Sequence, residues 1–292
     1  MAVQAALLAD GRRLHLQHGP IDLVIEAFGA PDEVRSAYVQ ARRRFETVLP
    51  ELVEELASLR KPLGESRWTP AGPVARRMAD AVAPHAGVFV TPMAAVAGAV
   101  ADEVLAATIA GRTLERAYIN NSGDIAFHLA PGATFRLGIV SEMFSLSVDG
   151  AAEIRADMAV RGVATSGWQG RSFSLGIADS VTVLAKTAAA ADVAATLIAN
   201  AVDADDPAVE RRSASALDPD SDLGDRLVTT SVGPLDSLTV AQALDRGRAA
   251  ALDMRVKGLI SGAALMLRGQ AVSVGEDAVA ALNTDSCPAD ER

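Results

Sequence analysis

Two stretches of small residues, TPMAAVAGAVADEVLAATIAG closing at Gly111 and TAAAADVAATLIANA opening at Thr187, constrain this chain more than any other feature. Alanine has the highest helix propensity, so both read as helices. Gly111 supplies the left-handed stop of the first, and Thr187 the N-cap of the second. Helices with so little side-chain volume let a neighbouring backbone or a flat ligand come close, which predicts tight packing. Between them, from Arg116 to about Val160, the segments RAYINNSGDIAFHL, ATFRLGIV and FSLSVDG alternate and are interrupted by Gly, Asn or Pro, which predicts strands.

The flanking regions mix both element types. LHLQHGPIDLVIEAFG predicts a strand ended by Gly29. Val34, Tyr38, Ala41, Phe45 and Val48 then form a helical stripe, resumed from Pro50 by Leu52, Val53, Leu56 and Leu59, so two helices or one bent helix run to about Arg60. A Pro- and Gly-rich loop spans 61–73, its Trp68 assigned to packing, and a helix covers Val74 to Ala83 before Pro84. After a Gly- and Ser-rich loop through Thr165 and Gly167 comes a strand from Ser180 to Leu184. Residues 203–226 are acidic and polar and read as a partly mobile surface connection. Strand, helix and strand close the chain: VTTSVG, LTVAQALDRGRAAALDMRV and SGAALMLRG. No internal repeat of fixed period is visible. The expected fold is α+β, one domain over 1–274 with a mixed, mainly antiparallel sheet and packed helices, followed by a disordered tail at 275–292.

Charge and rare residues exclude several function classes. Against 27 Lys and Arg stand 37 Asp and Glu, a net charge of −10 that disfavours nucleic acid and anionic membranes. Only Lys61, Lys186 and Lys257 carry an amine, which makes Schiff-base chemistry a poor fit. Cys287 stands alone, so neither an internal disulfide nor thiolate zinc is expected. MAVQAALLADGRR lacks the basic start of a secretory signal, and the longest uncharged apolar stretch, 86–101, falls short of the roughly 20 residues of a spanning helix. A cytoplasmic protein without a membrane or nucleic-acid partner is expected.

Few residues form a chemical constellation. Asp192 and Thr196 are four apart and share a helix face, a carboxylate and a hydroxyl of the hard-oxygen type that suits magnesium. On spacing alone a pair of solvated residues is the ordinary explanation, but an Asp in so apolar a helix must face solvent, a partner or a metal. Asn120, Asn121, Ser122, Gly123 and Asp124 form a turn between strands that serves as a plain hairpin or as a ligand edge. Thr165, Ser166 and Gly167 form a second small turn whose backbone amides suit phosphate oxygens. His15, His18, His85 and His128 have no metal spacing, and GxSxG, Walker and GxGxxG motifs do not occur.

Taken in order, AVAGAVAD, YINNSGDIAF, GVATSG and TVLAKTAAAADVAATLIANA resemble the ApbE superfamily of magnesium-dependent FAD:protein FMN transferases over roughly residues 86–202. That family carries an AKGYAVD-like helix, an N-x-GGD turn, a TSG turn and an A-D-x-x-x-T helix. A fuller resemblance is to an uncharacterised ApbE-like branch, whose TSSGTVGHSLSFGKADAV compares with TSGWQGRSFSLGIADSV here. The resemblance implies a magnesium ion on Asp192 and Thr196. It also implies an FAD or related flavin ligand along Asn121, Gly123, Asp124, Thr165, Ser166 and Gly167, with Arg171 at a phosphate and Asp192 and Arg171 as the catalytic pair. A protein acceptor for a transferred flavin and a homo-oligomer are further expectations. The departures are specific: the family lysine falls on Ala97, the doubled glycine has become Ser122 and Gly123, and Arg171 stands where the closer branch has a histidine. The D-P-x-T-G stretch after TSG is absent too. A guanidinium binds phosphate bidentately but is no general base at pH 7. A non-catalytic small-molecule-binding protein is therefore the alternative, and a factor in pterin-type one-carbon cofactor metabolism a further one.

Overall fold

The apolar N-terminal segment makes a hairpin where a single strand is expected. In the computed structural model, which describes residues 2–64, 68–139 and 150–275, β1 (Gln4–Leu7) leads into β2 (Leu14–His18) and β3 (Ile21–Gly29). The chain reverses at Gly19, whose φ of +59° suits glycine. The stripe that follows is one helix, α1 (Pro31–Leu59), with Pro50 inside it and Ala37, Ala41, Phe45, Val48 and Leu52 buried.

α2 (Pro73–Val82) ends in a 3₁₀ turn at Ala83–His85, and a second 3₁₀ turn, Pro92–Ala95, feeds α3 (Val96–Ile109). Then come β4 (Leu114–Asn121), β5 (Asp124–Leu129), β6 (Thr134–Ile139) and β7 (Gly150–Arg155). Of the expected strand FSLSVDG, all but Gly150 lies outside the described residues. β8 (Gly162–Ser166), β9 (Ser180–Ala185) and α4 (Ala188–Ala201) follow, and Thr187 caps α4 as expected by accepting from the Ala190 amide at 3.1 Å. The chain continues through β10 (Val209–Ser213), α5 (Ala214–Leu217), β11 (Leu227–Val232), α6 (Ser237–Val256), β12 (Gly262–Leu267) and β13 (Gln270–Val274).

Two further sequence readings need correction. GVATS is a strand, not a loop. Its glycine is there for contact, since a Cβ on Gly162 would lie 2.1 Å from the Ala188 nitrogen. The acidic segment 203–226 carries β10 and α5, and β10 pairs antiparallel with β11. It is tied down by Arg211 on Asp203, by Asp222 on the Thr91 hydroxyl and by the Arg226 guanidinium 3.4 Å from the centre of the Phe89 ring. The expected tail beyond residue 275 lies outside the described residues.

Nine strands form one antiparallel sheet in the order β1-β2-β3-β4-β5-β8-β9-β12-β13. A repeat invisible in the sequence emerges from this order. Hairpin β2–β3, helices, then hairpin β4–β5 make one half; hairpin β8–β9, helices, then hairpin β12–β13 make the other. Each half has its own core on the helical face, around Phe45, Ile25 and Met78 in the first and Ile198, Leu244 and Leu265 in the second. On the opposite face β6–β7 covers Phe127, Val163 and Leu184. The halves join through β5 and β8 at two registered pairs, Ile125 with Val163 and Ala126 with Gly162, and through α3 against α4.

One described segment, Pro92–Ile109, is long and apolar enough to cross a membrane, with a mean hydropathy of 1.4. Half of it is buried, and α3 packs on α1, α2, α4, β4 and β5, the position of a core helix.

Candidate functional site

Where the halves meet, the first turns of α3 and α4 cross at backbone distance. A Cβ on Gly98 would lie 2.3 Å from the Ala188 carbonyl oxygen, so this crossing requires glycine. Each helix caps the other. Asp102 on α3 accepts from the Ala188 and Ala189 amides at 3.0 and 2.9 Å, and Asp192 on α4 accepts from the Gly98 amide at 3.0 Å and from Ala97. A carboxylate at a helix N-terminus satisfies donors that lack an intrahelical partner and meets the positive end of the helix dipole.

The turn after β4 closes on the same spot. Buried Asn121 donates from Nδ2 to the Ala97 carbonyl at 3.0 Å, and Asn120 Oδ1 accepts from the Gly123 amide at 2.8 Å. Asp124 accepts a hydrogen bond from the Thr165 amide. Asp192 and Asp124 interact electrostatically, and both carboxyls are raised. Burial pushes Asp192 up to about 7, opposed by the Gly98 and Ala97 amides and assisted by Asp102. Burial first, and the Asp192 charge second, hold Asp124 well above the usual carboxylate range. No cationic side chain contributes to either shift.

The other expected residues divide. Ser166 shares a strand face with buried Ala164, on the helical side, whereas Thr165 alternates to the opposite face, its hydroxyl 2.9 Å from that of Thr182. Thr165 therefore reaches the site through its amide and not its side chain. Gly167 is a packing requirement, because a Cβ there would lie 2.3 Å from the Asp179 carbonyl oxygen. Exposed Arg171 donates to Ser122 Oγ at 2.6 Å and so links the loop after β8 to the β4–β5 turn. Thr196 sits one turn beyond Asp192, partly exposed. Asp102 was not singled out from sequence, although it is, like Asp192, an acidic residue in a small-residue helix.

The donor set fits a hard cation in part. Asp192, Asp124 and Thr196 offer oxygen ligands, and among the described residues no cationic side chain acts on the two raised carboxyls. Among the described residues no group of three His, Cys, Asp or Glu is placed to hold a metal, so water or substrate oxygens would have to complete the shell.

Comparison with known proteins shows what the chain is similar to. The UPF0280 protein of Methanopyrus kandleri is 41% identical over 153 residues, 51% of this chain and 58% of that protein. The UPF0280 protein of Methanosphaerula palustris is 39% identical over 130 residues, 44% of this chain and 52% of its own. The chain thus spans about half the length of these curated relatives. The crystal structure of the ApbE protein of Thermotoga maritima superposes with a TM-score of 0.52 and 11% identity, covering 96% of this chain and 100% of that one, a likeness of fold. The family described as AbpE bacteria matches residues 5–273, so the chain belongs to that family, an ApbE-like branch with an α+β fold.

Proposed function

We propose that the seam between the halves binds a flavin or related nucleotide-like ligand together with magnesium. The observation that carries this reading is the pair Asp124 and Asp192, two proton-hungry carboxyls without a basic partner beside the first turn of α3. Asp192 and Thr196 would hold the ion, with Asp124 facing them. Bound there, magnesium would supply charge neutralisation and polarise a phosphoryl oxygen. Asn121 holds the α3 entry in place through the Ala97 carbonyl, and Gly98 keeps bulk away from the crossing. Arg171, already anchored to Ser122, keeps further N–H donors for a phosphate. Transfer or hydrolysis at a pyrophosphate is the activity that this arrangement would serve.

The second reading, binding without turnover, has its own support. Ala97 and Arg171 leave these two positions without a group that takes up a proton at neutral pH.

Titrating the full chain with FAD, with and without magnesium, by flavin fluorescence and heat separates the readings. Magnesium-dependent binding is expected in the wild type and is lost in Asp192→Ala, with circular dichroism reporting the fold of each protein. Binding that ignores both magnesium and the substitution overturns the site, whereas retention of intact FAD over many hours favours the non-catalytic reading.

A further inference from the structure

Residues 203–232 leave the second half after α4 and return to it at α6, forming a strap with its own two-stranded sheet of β10 and β11. The base of the strap is fixed. Ala214, Val228 and Val232 are buried, and Arg211 is held by Asp203. The tip makes its contacts in the other half. Asp220 meets Arg60, just past the end of α1, at 3.8 Å, Asp222 accepts from the Thr91 hydroxyl, and Arg226 stacks on Phe89. These partners adjoin Leu59 and Val90 of the first core.

The strap therefore spans the two halves, and it reaches both sides of the stripe Asp192, Thr196 and Asn200 on α4. On one side, Thr91 opens the 3₁₀ turn that feeds α3, whose entry Asp192 caps. On the other, the Thr229 amide donates to the Ser174 carbonyl at 2.9 Å, and Ser174 Oγ and the Leu175 amide donate to Asn200 Oδ1 at 3.3 and 2.9 Å. Residues four apart share a helix face, so Thr196 lies between the two contacts.

Two features bear on how the strap is held. Its tip contacts are an exposed ion pair, one hydroxyl bond and a guanidinium on an aromatic face, kinds that contribute little when solvent reaches them. At its root the Thr229 hydroxyl is buried and has no hydrogen-bond partner among the described residues. The closed arrangement carries that cost, and an open one relieves it by admitting water.

We propose that the strap is a gate over the seam. Its tip leaves Arg60, Phe89 and Thr91 to admit a ligand and closes again once the ligand is seated, with β10 and β11 as the hinge. The proposal rests on the reading of the seam as the ligand site. Closed, the strap would keep water from the charged groups there, and polar interactions strengthen as water leaves.

The test needs no ligand. In the full chain, Cys287→Ser removes the single native thiol, and Thr196→Cys places one in the seam. Labelling of that thiol by N-ethylmaleimide reads access to the seam, and amide exchange over residues 214–229 reads the strap. Labelling at least roughly tenfold slower than in the urea-unfolded chain is expected, and Asp222→Ala or Arg226→Ala should speed both labelling and strap exchange by roughly three- to tenfold. Amides of β9 and β12 keep their exchange rates in each variant, which separates tip release from global unfolding. Arg226 is exposed, so its variant keeps the fold even where Asp222→Ala, which strips the buried Thr91 hydroxyl of its acceptor, does not. Labelling as fast as in the unfolded chain, or labelling or strap exchange unchanged in both variants, overturns the gate. A wild type that fails to bind FAD overturns the ligand reading alone, because the labelling does not depend on flavin.

Discussion

Asp102 reaches from α3 to the opening amides of α4, and Asp192 reaches back from α4 to those of α3. The local task is the same, but the settings differ. Asp102 uses one oxygen on each of two amides; burial raises its carboxyl, and the two amides and the nearby Arg77 charge oppose that rise. Asp192 faces Asp124, a second carboxyl, and among the described residues no cation acts on either. On the function proposed above, the carboxylate with a cation nearby holds the crossing, and the one that faces a second carboxyl would meet the magnesium ion. The pair contrasts two carboxylates with the same capping task and different electrostatic surroundings.

The crossing itself is the most sensitive point. Gly98→Ala places a methyl against the backbone of Ala188, which cannot yield as a side chain would, so a loss of about 3 kcal/mol or more is expected, read as a large fall in the urea midpoint. If this variant melts like the wild type, the two helices do not cross at this distance.

Asp102→Ala comes next. It strands two amides at the start of α4, and a loss of about 2 kcal/mol is expected in thermal or urea unfolding. Asp192→Asn should have the opposite sign, because the amide oxygen still accepts from Gly98 while the repulsion with Asp124 disappears. The pH dependence follows from the raised carboxyl. Folded Asp192 keeps its proton up to about 7, while the unfolded residue releases it near 3.8. Over that window the folded state holds more protons, so wild-type stability falls as pH rises through it. At pH 7.5 without magnesium the Asn variant should be more stable by about 1–2 kcal/mol, and the difference should close near pH 4. A variant less stable than wild type at both pH values would make Asp192 a second Asp102.

Thr187→Ala is the smallest change. It removes one capping bond from a helix start that Asp102 already holds, and about 0.5–1 kcal/mol is expected from unfolding curves. A cost equal to that of Asp102→Ala would mean that α4 depends on its own cap more than on its neighbour.

Local signals were readable wherever they act within one element. The helix at Ala188, its Thr187 cap, the β9 strand and the stripe of α1 all follow from spacing and end residues. GVATS misled because its glycine was read as a loop residue, when Gly162 serves a contact with Thr187 and Ala188 that lies 25 residues away. The motif Thr165-Ser166-Gly167 was found as a unit, but strand alternation divides it: an amide from Thr165, a side-chain face for Ser166 and a packing contact for Gly167. Asp192 was singled out by the apolar helix around it, and Asp102 could have been found by the same test.

By itself the chain determined the type of most helices and strands, the acidic balance, the family resemblance and the hydroxyl and carboxylate four residues apart on one helix face. These are properties of neighbours along the backbone, with periods of two or 3.6 residues. Only the tertiary structure decided that the sheet is a doubled unit, that Asp124 stands opposite Asp192 and that each of two helices is capped by the other. Those facts depend on residues tens of positions apart coming within hydrogen-bond or Coulomb range, and no local spacing encodes such a meeting.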